Sequence, residues 1–354
     1  MNSNNRNRRN VKNKKTVKKR KVKHSKLKLF IYFILVEIIV TVASAPWIIY
    51  YGPFNTLKKM IVGEAMSTMS HQYLATFFLS QDSINQILYG GKAVQSNATA
   101  QNLNDVSVGS TNSKIELSKI TGTKYNGLML IVHDPKRVKV GYSNELGSRG
   151  QKPSQIAKEY NAIGAINGGG FSDKGQNSTA IWTGTGAFPT GVIISNGKLV
   201  YPTGNIDKNQ LLPGVAAITS DGHLIVGKHT LGDLLKDNVQ EALCFGPTLI
   251  IDGIPQTVSD VDGKPIDSQG VDPRTVIGQR KDGSIVLLTI DGRQGLEAGA
   301  TIGDLQKILL KAGVVNAVNL DGGASTVLYY KGKVQNSPSD KFGERPVPDI
   351  FYVK

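Results

Sequence analysis

Residues 301–326 read TIGDLQKILLKAGVVNAVNLDGGAST. Thr301 and Asp304 form a capping box, in which each side chain accepts the other residue's backbone N–H and opens a helix. Leu305, Ile308 and Leu309 follow on one helical face, and Gly313 closes the helix by entering the left-handed region at no Cβ cost. An apolar strand, Val314 to Leu320, then delivers Asp321-Gly322-Gly323 at its end. A capped helix, a buried strand and a glycine loop bearing a carboxylate are thus specified in one stretch.

Outward from it the texture is the same. Gly127-Leu-Met-Leu-Ile-Val132 and Ser284–Ile290 read as buried strands. Asn196-Gly197, Asp221-Gly222 and Asp282-Gly283 are hairpin signals between β-rich segments. Thr230-Leu-Gly-Asp233 starts a second capped helix, and a third is predicted from Pro153 to Tyr160. Short strands with hairpins and few helices give an α+β domain over 114–354, with a central antiparallel or mixed sheet.

The preceding residues are organised differently. The chain has 354 residues and a net charge of +15, but residues 1–28 hold 13 Lys or Arg and no acid. The 42 basic residues less these 13 leave 29 against 27 acidic ones. The excess is therefore a tail, which argues against a nucleic-acid-binding globular surface. Leu29 to Tyr51 is almost wholly apolar, and its 23 residues can cross a hydrocarbon core of roughly 30 Å. The apolar run continues past Ala43-Ser44-Ala45 through Trp47 and Ile49, which favours an uncleaved anchor over a signal peptide. The positive-inside rule then predicts a single-pass plasma-membrane protein with a cytoplasmic N-terminus and an extracytoplasmic C-terminal domain. Residues 52–113 are expected to form a stalk helix and a polar, flexible linker.

The chemistry-bearing residues fall at predicted strand ends, where loops carry function. Asn167-Gly168-Gly169-Gly170 offers amides able to cradle an anion. Asn319-Leu320-Asp321-Gly322-Gly323-Ala324-Ser325 exposes a carboxylate beside flexible backbone, suited to acid, base, nucleophile or metal-ligand work. Asp291-Gly292-Arg293 and Asp272-Pro273-Arg274-Thr275 add two arginines whose planar forks match phosphate or carboxylate, and Arg345 is a third such contact. The five histidines show no paired metal spacing, and the nucleophile-elbow and P-loop patterns are absent.

Taken in order, Asn167–Phe171, Gly246–Gly253, Arg274–Gly278, Asp291–Arg293 and Asn319–Gly323 resemble the phosphodiester glycosidase family, over roughly Gly127 to Lys354. The resemblance implies hydrolysis of a sugar-1-phosphodiester of N-acetylglucosamine-1-phosphate type, the substrate being a phosphate-linked glycan of an envelope or exopolysaccharide. Asp321, with Asp291 as substitute, would then activate water or capture the anomeric carbon. Arg274, Arg293, Arg345 and the Gly168–Gly170 amides would bind phosphate, and Asn167 and Asn319 would hold the sugar, with Gly322, Gly323 and Ser325 completing the loop. No cofactor is required by that chemistry. Two other readings stand beside it: a P–O-cleaving phosphodiesterase, metal-assisted through Asp291 and Asp321, and a non-catalytic glycopolymer-binding or assembly protein.

Overall fold

The structure, a computed structural model, describes residues 11–54, scattered positions between 57 and 95, and residues 101–354 apart from 110–111, 173–184, 205, 257, 260–270 and 296. It divides into two compact units, residues 1–58 and 59–354. In the first unit a single helix, α1 (Val11–Tyr51), carries the basic residues from Lys12 onward and the apolar run together. Its segment Lys26–Tyr51 is long and apolar enough to cross a membrane, and side chains such as Leu29, Phe33 and Ile39 are exposed along it. Most of the predicted stalk helix lies outside the described residues; within it, Tyr73–Thr76 is helical.

The strands of the second unit are β1 (Ile115–Thr121), β2 (Asn126–Val132), β3 (Val138–Tyr142), β4 (Gly164–Asn167), β5 (Ile193–Ser195), β6 (Lys198–Tyr201), β7 (Leu211–Thr219) and β8 (Leu224–Thr230). They continue with β9 (Val239–Cys244), β10 (Thr248–Ile251), β11 (Arg274–Arg280), β12 (Ile285–Ile290), β13 (Val314–Leu320), β14 (Leu328–Tyr330) and β15 (Asp349–Val353). The largest sheet runs, in spatial order, Ile254–Pro255, β10, β13, β11, β12, β2, β1. A second runs β8, β7, β9, β5, β6, and a third Lys333–Val334, β14, β4, β15, β3. Neighbouring strands in all three are antiparallel, so of the two expected sheet types the antiparallel one forms.

All three sheets send side chains into one core. Leu130, Ile277, Leu287 and Val318 from the first sheet meet Ala216, Val226 and Leu243 from the second and Ile166, Leu328 and Phe351 from the third. Period-two alternation puts the neighbours of these residues outward, as on β12, where Val286, Leu288 and Ile290 join a separate cluster. Each outer face is covered by one helix: α2 (Pro153–Glu159) on the third sheet, α3 (Leu231–Lys236) on the second, and α4 (Ile302–Lys311) on the first. In α4 the capping box closes as expected, with Asp304 N donating to Thr301 Oγ1 and Thr301 N donating to Asp304 Oδ2, both at 3.1 Å. Ile302, Leu305 and Leu309 are buried beneath it, each worth about 1.5–3 kcal/mol. Asn196-Gly197 is a two-residue turn with both φ positive, whereas at Asp221-Gly222 and Asp282-Gly283 only the glycine is left-handed.

The polar linker expected over 92–113 is not free throughout. Gln101 lies against the edge of β8, its Nε2 donating to Leu224 O (2.7 Å) and its Oε1 accepting from Val226 N (2.9 Å). Leu103 packs on the outer cluster of the second sheet, and Val106 is buried. Composition missed this because a single Gln amide supplies the strand-like pairing that an edge strand needs.

Strand register gathers the predicted motifs at shared sheet ends. Arg274 pairs with Ile290, Thr275 with Leu320, and Ile350 with Asn167. The loops leaving β4, β12 and β13 and those entering β11 and β15 are thereby fixed by backbone ladders.

Candidate active site

The loop 321–325 after β13 is the centre of the constellation. Asp321 N donates to Gly168 O (3.2 Å), and Gly323 N donates to Pro273 O (2.9 Å). One side of the loop is thus tied to the triple-glycine turn and the other to the entrance of β11. Gly323 has a φ of 59, and a Cβ there would stand 3.4 Å from Arg293 Nη1, so the guanidinium lies directly against the glycine. Gly322 likewise leaves room for the Pro273 carbonyl.

Arg274 and Arg293 come together around one carboxylate. Asp272 Oδ1 accepts from Arg293 Nη2 at 2.9 Å, and Asp272 Oδ2 lies 3.6 Å from Arg274 Nη2. Arg274 also donates from Nε to Ala300 O (3.2 Å). Burial lowers the affinity of the Arg274 guanidinium for its proton; Asp272 opposes that effect and Arg293 adds to it. Arg293 itself holds a φ of 59, a left-handed conformation uncommon outside glycine. Strain of this kind collects where surrounding structure holds a residue to a task.

Three expectations need correction. The Gly168–Gly170 amides do not form an anion cradle: Gly168 N donates to Asp349 O (3.1 Å), Gly169 N to Asp349 Oδ1 (2.6 Å) and Gly170 N to Cys244 O (3.0 Å). Their glycine identity serves close packing instead, since a Cβ on Gly169 would come 2.9 Å from Cys244 O. Asn167 is buried and committed to its protein neighbours rather than turned to a sugar, and Asn319 is buried with its amide nitrogen engaged by backbone. Asn167 Nδ2 donates to Asp321 O (2.5 Å), while its Oδ1 accepts from Thr275 Oγ1 (2.7 Å) and Val327 N (3.1 Å). Asn319 Nδ2 donates to Gly246 O and Leu320 O. Both are staples at the ends of the loop.

Asp291 is the third correction. Its Oδ1 accepts from Asn336 Nδ2 (2.9 Å) and its Oδ2 from Ser337 N (3.2 Å). Asn336 in turn donates to Thr326 O and accepts from Leu328 N. Asp291 therefore holds the start of β14 in place. Burial raises its pKa, against the two donors that lower it. Both oxygens are thus engaged in holding local backbone and side chain. Among the described residues, no group of three or more His, Cys, Asp or Glu is arranged to hold a metal ion.

Arg345 reaches the glycine turn, its Cζ 4.9 Å from the Phe171 ring centre. Ser325 Oγ and Asn319 Oδ1 are buried with no hydrogen-bond partner among the described residues.

Two residues escaped sequence reasoning. Asp349 is 1% exposed, and its carboxyl is pushed up to about 7 by burial, with Gly169 N–H opposing and Asp321 reinforcing. Its signal was a lone acid opening the apolar strand DIFYV, four residues after Arg345. Asp272 stood inside a quoted motif, but the carboxylate bridge between two arginines distant in sequence is a tertiary fact.

The sequence model of the family described as NAGPA, phosphodiester glycosidase, matches residues 160–354. The SPbeta prophage-derived uncharacterized protein YomE of Bacillus subtilis is 35% identical over 120 residues, 34% of this chain and 18% of that protein. The N-acetylglucosamine-1-phosphodiester alpha-N-acetylglucosaminidase of Bos taurus is 40% identical over 70 residues, 20% of this chain and 13% of that enzyme. The alignments span less than a fifth of either curated relative. Among solved structures, the zebrafish N-acetylglucosamine-1-phosphodiester alpha-N-acetylglucosaminidase catalytic domain, auto-inhibited by its pro-peptide, superposes with a TM-score of 0.53. That match covers 74% of this chain and 86% of the zebrafish chain at 24% identity, a likeness of fold.

Proposed function

The chain belongs to the phosphodiester glycosidase family, and on that premise we propose that it is a membrane-anchored hydrolase acting outside the cytoplasm on a sugar-1-phosphodiester. The substrate class is a glycan or glycopolymer of the envelope or an exopolysaccharide, linked through N-acetylglucosamine 1-phosphate. The observation that supports the reading is the loop 321–325, which begins at Asp321 and is tied at Gly323 to Pro273, beside the Arg274–Asp272–Arg293 group.

The chemistry follows from those groups. Water oxygen bonds to the anomeric carbon, the C1–O bond breaks, and the phosphomonoester leaves with that oxygen. Its second pKa is about 6, so it departs without a strong general acid. What remains for the protein is to hold phosphate and supply a carboxylate. Arg293 and Arg274 suit the first task, with Arg345, Ser325 and the Gly322–Gly323 backbone at the margin. Asp321 suits the second, by activating water or capturing C1. The basic tail and apolar segment of α1 support an N-terminus in the cytoplasm and a domain on the far side of the plasma membrane.

Asp321→Asn tests the assignment. In the full chain in detergent, with the methyl phosphodiester of N-acetylglucosamine 1-phosphate as substrate, kcat is expected to fall at least about 10²-fold while the fold is kept. Turnover close to wild type would remove Asp321 from the chemistry.

A further inference from the structure

Asp349 opens β15 as the one charged residue in an apolar strand, and burial there disfavours ionisation unless a cation or several donors compensate. Its recorded donor is a single backbone N–H, from Gly169 at 2.6 Å. Among the described residues it makes no ion pair.

What surrounds the carboxyl is neutral or acidic. From the end of β9 comes the Cys244 thiol, pushed up to about 12 by burial and hence uncharged. Across the strand ladder its register partner is Tyr142 on β3. The glycine turn contributes only amides. Beyond Gly168, whose N–H donates to Asp349 O and whose carbonyl accepts from Asp321 N, stands the second acid, Asp321.

We propose that Asp349, tied to the Asp321 loop through Gly168, is protonated in the working enzyme, and that its neutrality is what admits an anionic phosphodiester at that loop. The proposal rests on the reading of the site as a phosphodiester hydrolase. Ionised, Asp349 adds a buried negative charge to the turn that carries the Asp321 loop, and such a charge repels an arriving phosphate. Burial sets that switch at about 7, with Gly169 N–H pulling it down and Asp321 pushing it up. Asp349 is a positioning residue: it acts through Asp321 and the glycine turn, and is itself shielded from substrate.

The test measures kcat and KM between pH 5 and 9 on the full chain in detergent, with the methyl phosphodiester of N-acetylglucosamine 1-phosphate. Wild type is expected to show KM climbing above about pH 7, approaching about tenfold per pH unit for one linked proton, with kcat much flatter. Asp349→Asn, which keeps an acceptor for Gly169 N, should lose that climb whatever its absolute rate. A pH-independent wild-type KM, or the same climb in Asp349→Asn, overturns the proposal. Isotope-edited infrared spectroscopy with carboxyl-labelled aspartate gives a readout free of turnover. A protonated aspartic acid band present at pH 6, lost by pH 8.5 and missing from Asp349→Asn is expected. Its absence overturns the proposal even if hydrolysis is observed, and its presence without hydrolysis would count against the proposed function instead.

Discussion

Asp349 and Asp321 are joined through one glycine: Gly168 N–H donates to Asp349 O at 3.1 Å, and Gly168 O accepts from Asp321 N at 3.2 Å. Two acids distant in sequence are thereby held to the same turn. A Cβ on Gly168 would overlap Asp349 Oδ1 and come within 2.6 Å of Leu243 Cδ1. Gly168→Ala is expected to cost about 2–4 kcal/mol in denaturant unfolding and to lower activity through displaced Asp321. Wild-type stability in that variant would show that the turn is not a tight junction.

Asp291 and Asp321 are both acids after strands, yet only Asp321 is assigned chemistry. Asp291→Ala leaves Asn336 Nδ2 and Ser337 N without their acceptor, a loss of about 1–3 kcal/mol. Asp291→Asn retains one acceptor oxygen and should keep most of kcat, in contrast to Asp321→Asn. Equal loss of kcat in the two Asn variants, at equal stability, would return Asp291 to the catalytic group.

The raised pKa of Asp349 makes stability depend on pH. Its unfolded value is near 4 and its folded value about 7, so the folded state holds a proton that the unfolded state releases between them. That stabilisation is complete below about pH 4 and is lost as pH rises through 7, at up to about 1.4 kcal/mol per unit. Subtracting the Asp349→Asn curve from the wild-type curve isolates the effect, and a flat difference between pH 4 and 7 would contradict it.

Arg293 bears on stability as well as on function. Arg293→Gly relieves the left-handed backbone, a gain of about 1 kcal/mol, but removes one partner of a largely buried ion pair with Asp272, a loss of about 3–5 kcal/mol. The variant should unfold earlier than wild type and, where folded, show KM for the phosphodiester raised at least about tenfold. An unchanged KM would remove Arg293 from phosphate binding.

Residues 101–109 belong with the domain in energetic terms. The fragment 113–354 lacks Gln101, Leu103 and Val106, and should be about 2–4 kcal/mol less stable than the fragment 101–354. Equal denaturation midpoints would mean that the docked segment contributes nothing.

Much of the fold was legible because its signals are local. The capping boxes at Thr230 and Thr301, the Asn-Gly and Asp-Gly turns and the strand Val314–Leu320 each require only near neighbours. The site was legible in outline, since glycines and arginines at strand ends mark where backbone and charge converge. Which group does what was not. Asn167 and Asp291 look like ligands in sequence, and only long-range bonds to Val327 and Asn336 reveal them as staples. Asp349 was hidden for the converse reason: its weight comes from burial and from Asp321, neither of which has a sequence signature.

The most direct test of the central claim is product analysis in ¹⁸O-labelled water. The full chain in detergent is incubated with the methyl phosphodiester of N-acetylglucosamine 1-phosphate, and the products are read by mass spectrometry. Cleavage at the anomeric carbon predicts free N-acetylglucosamine carrying the label at C1, with unlabelled methyl phosphate. Label in phosphate, with N-acetylglucosamine 1-phosphate or unlabelled sugar released, would instead mark a P–O-cleaving phosphodiesterase and contradict the account.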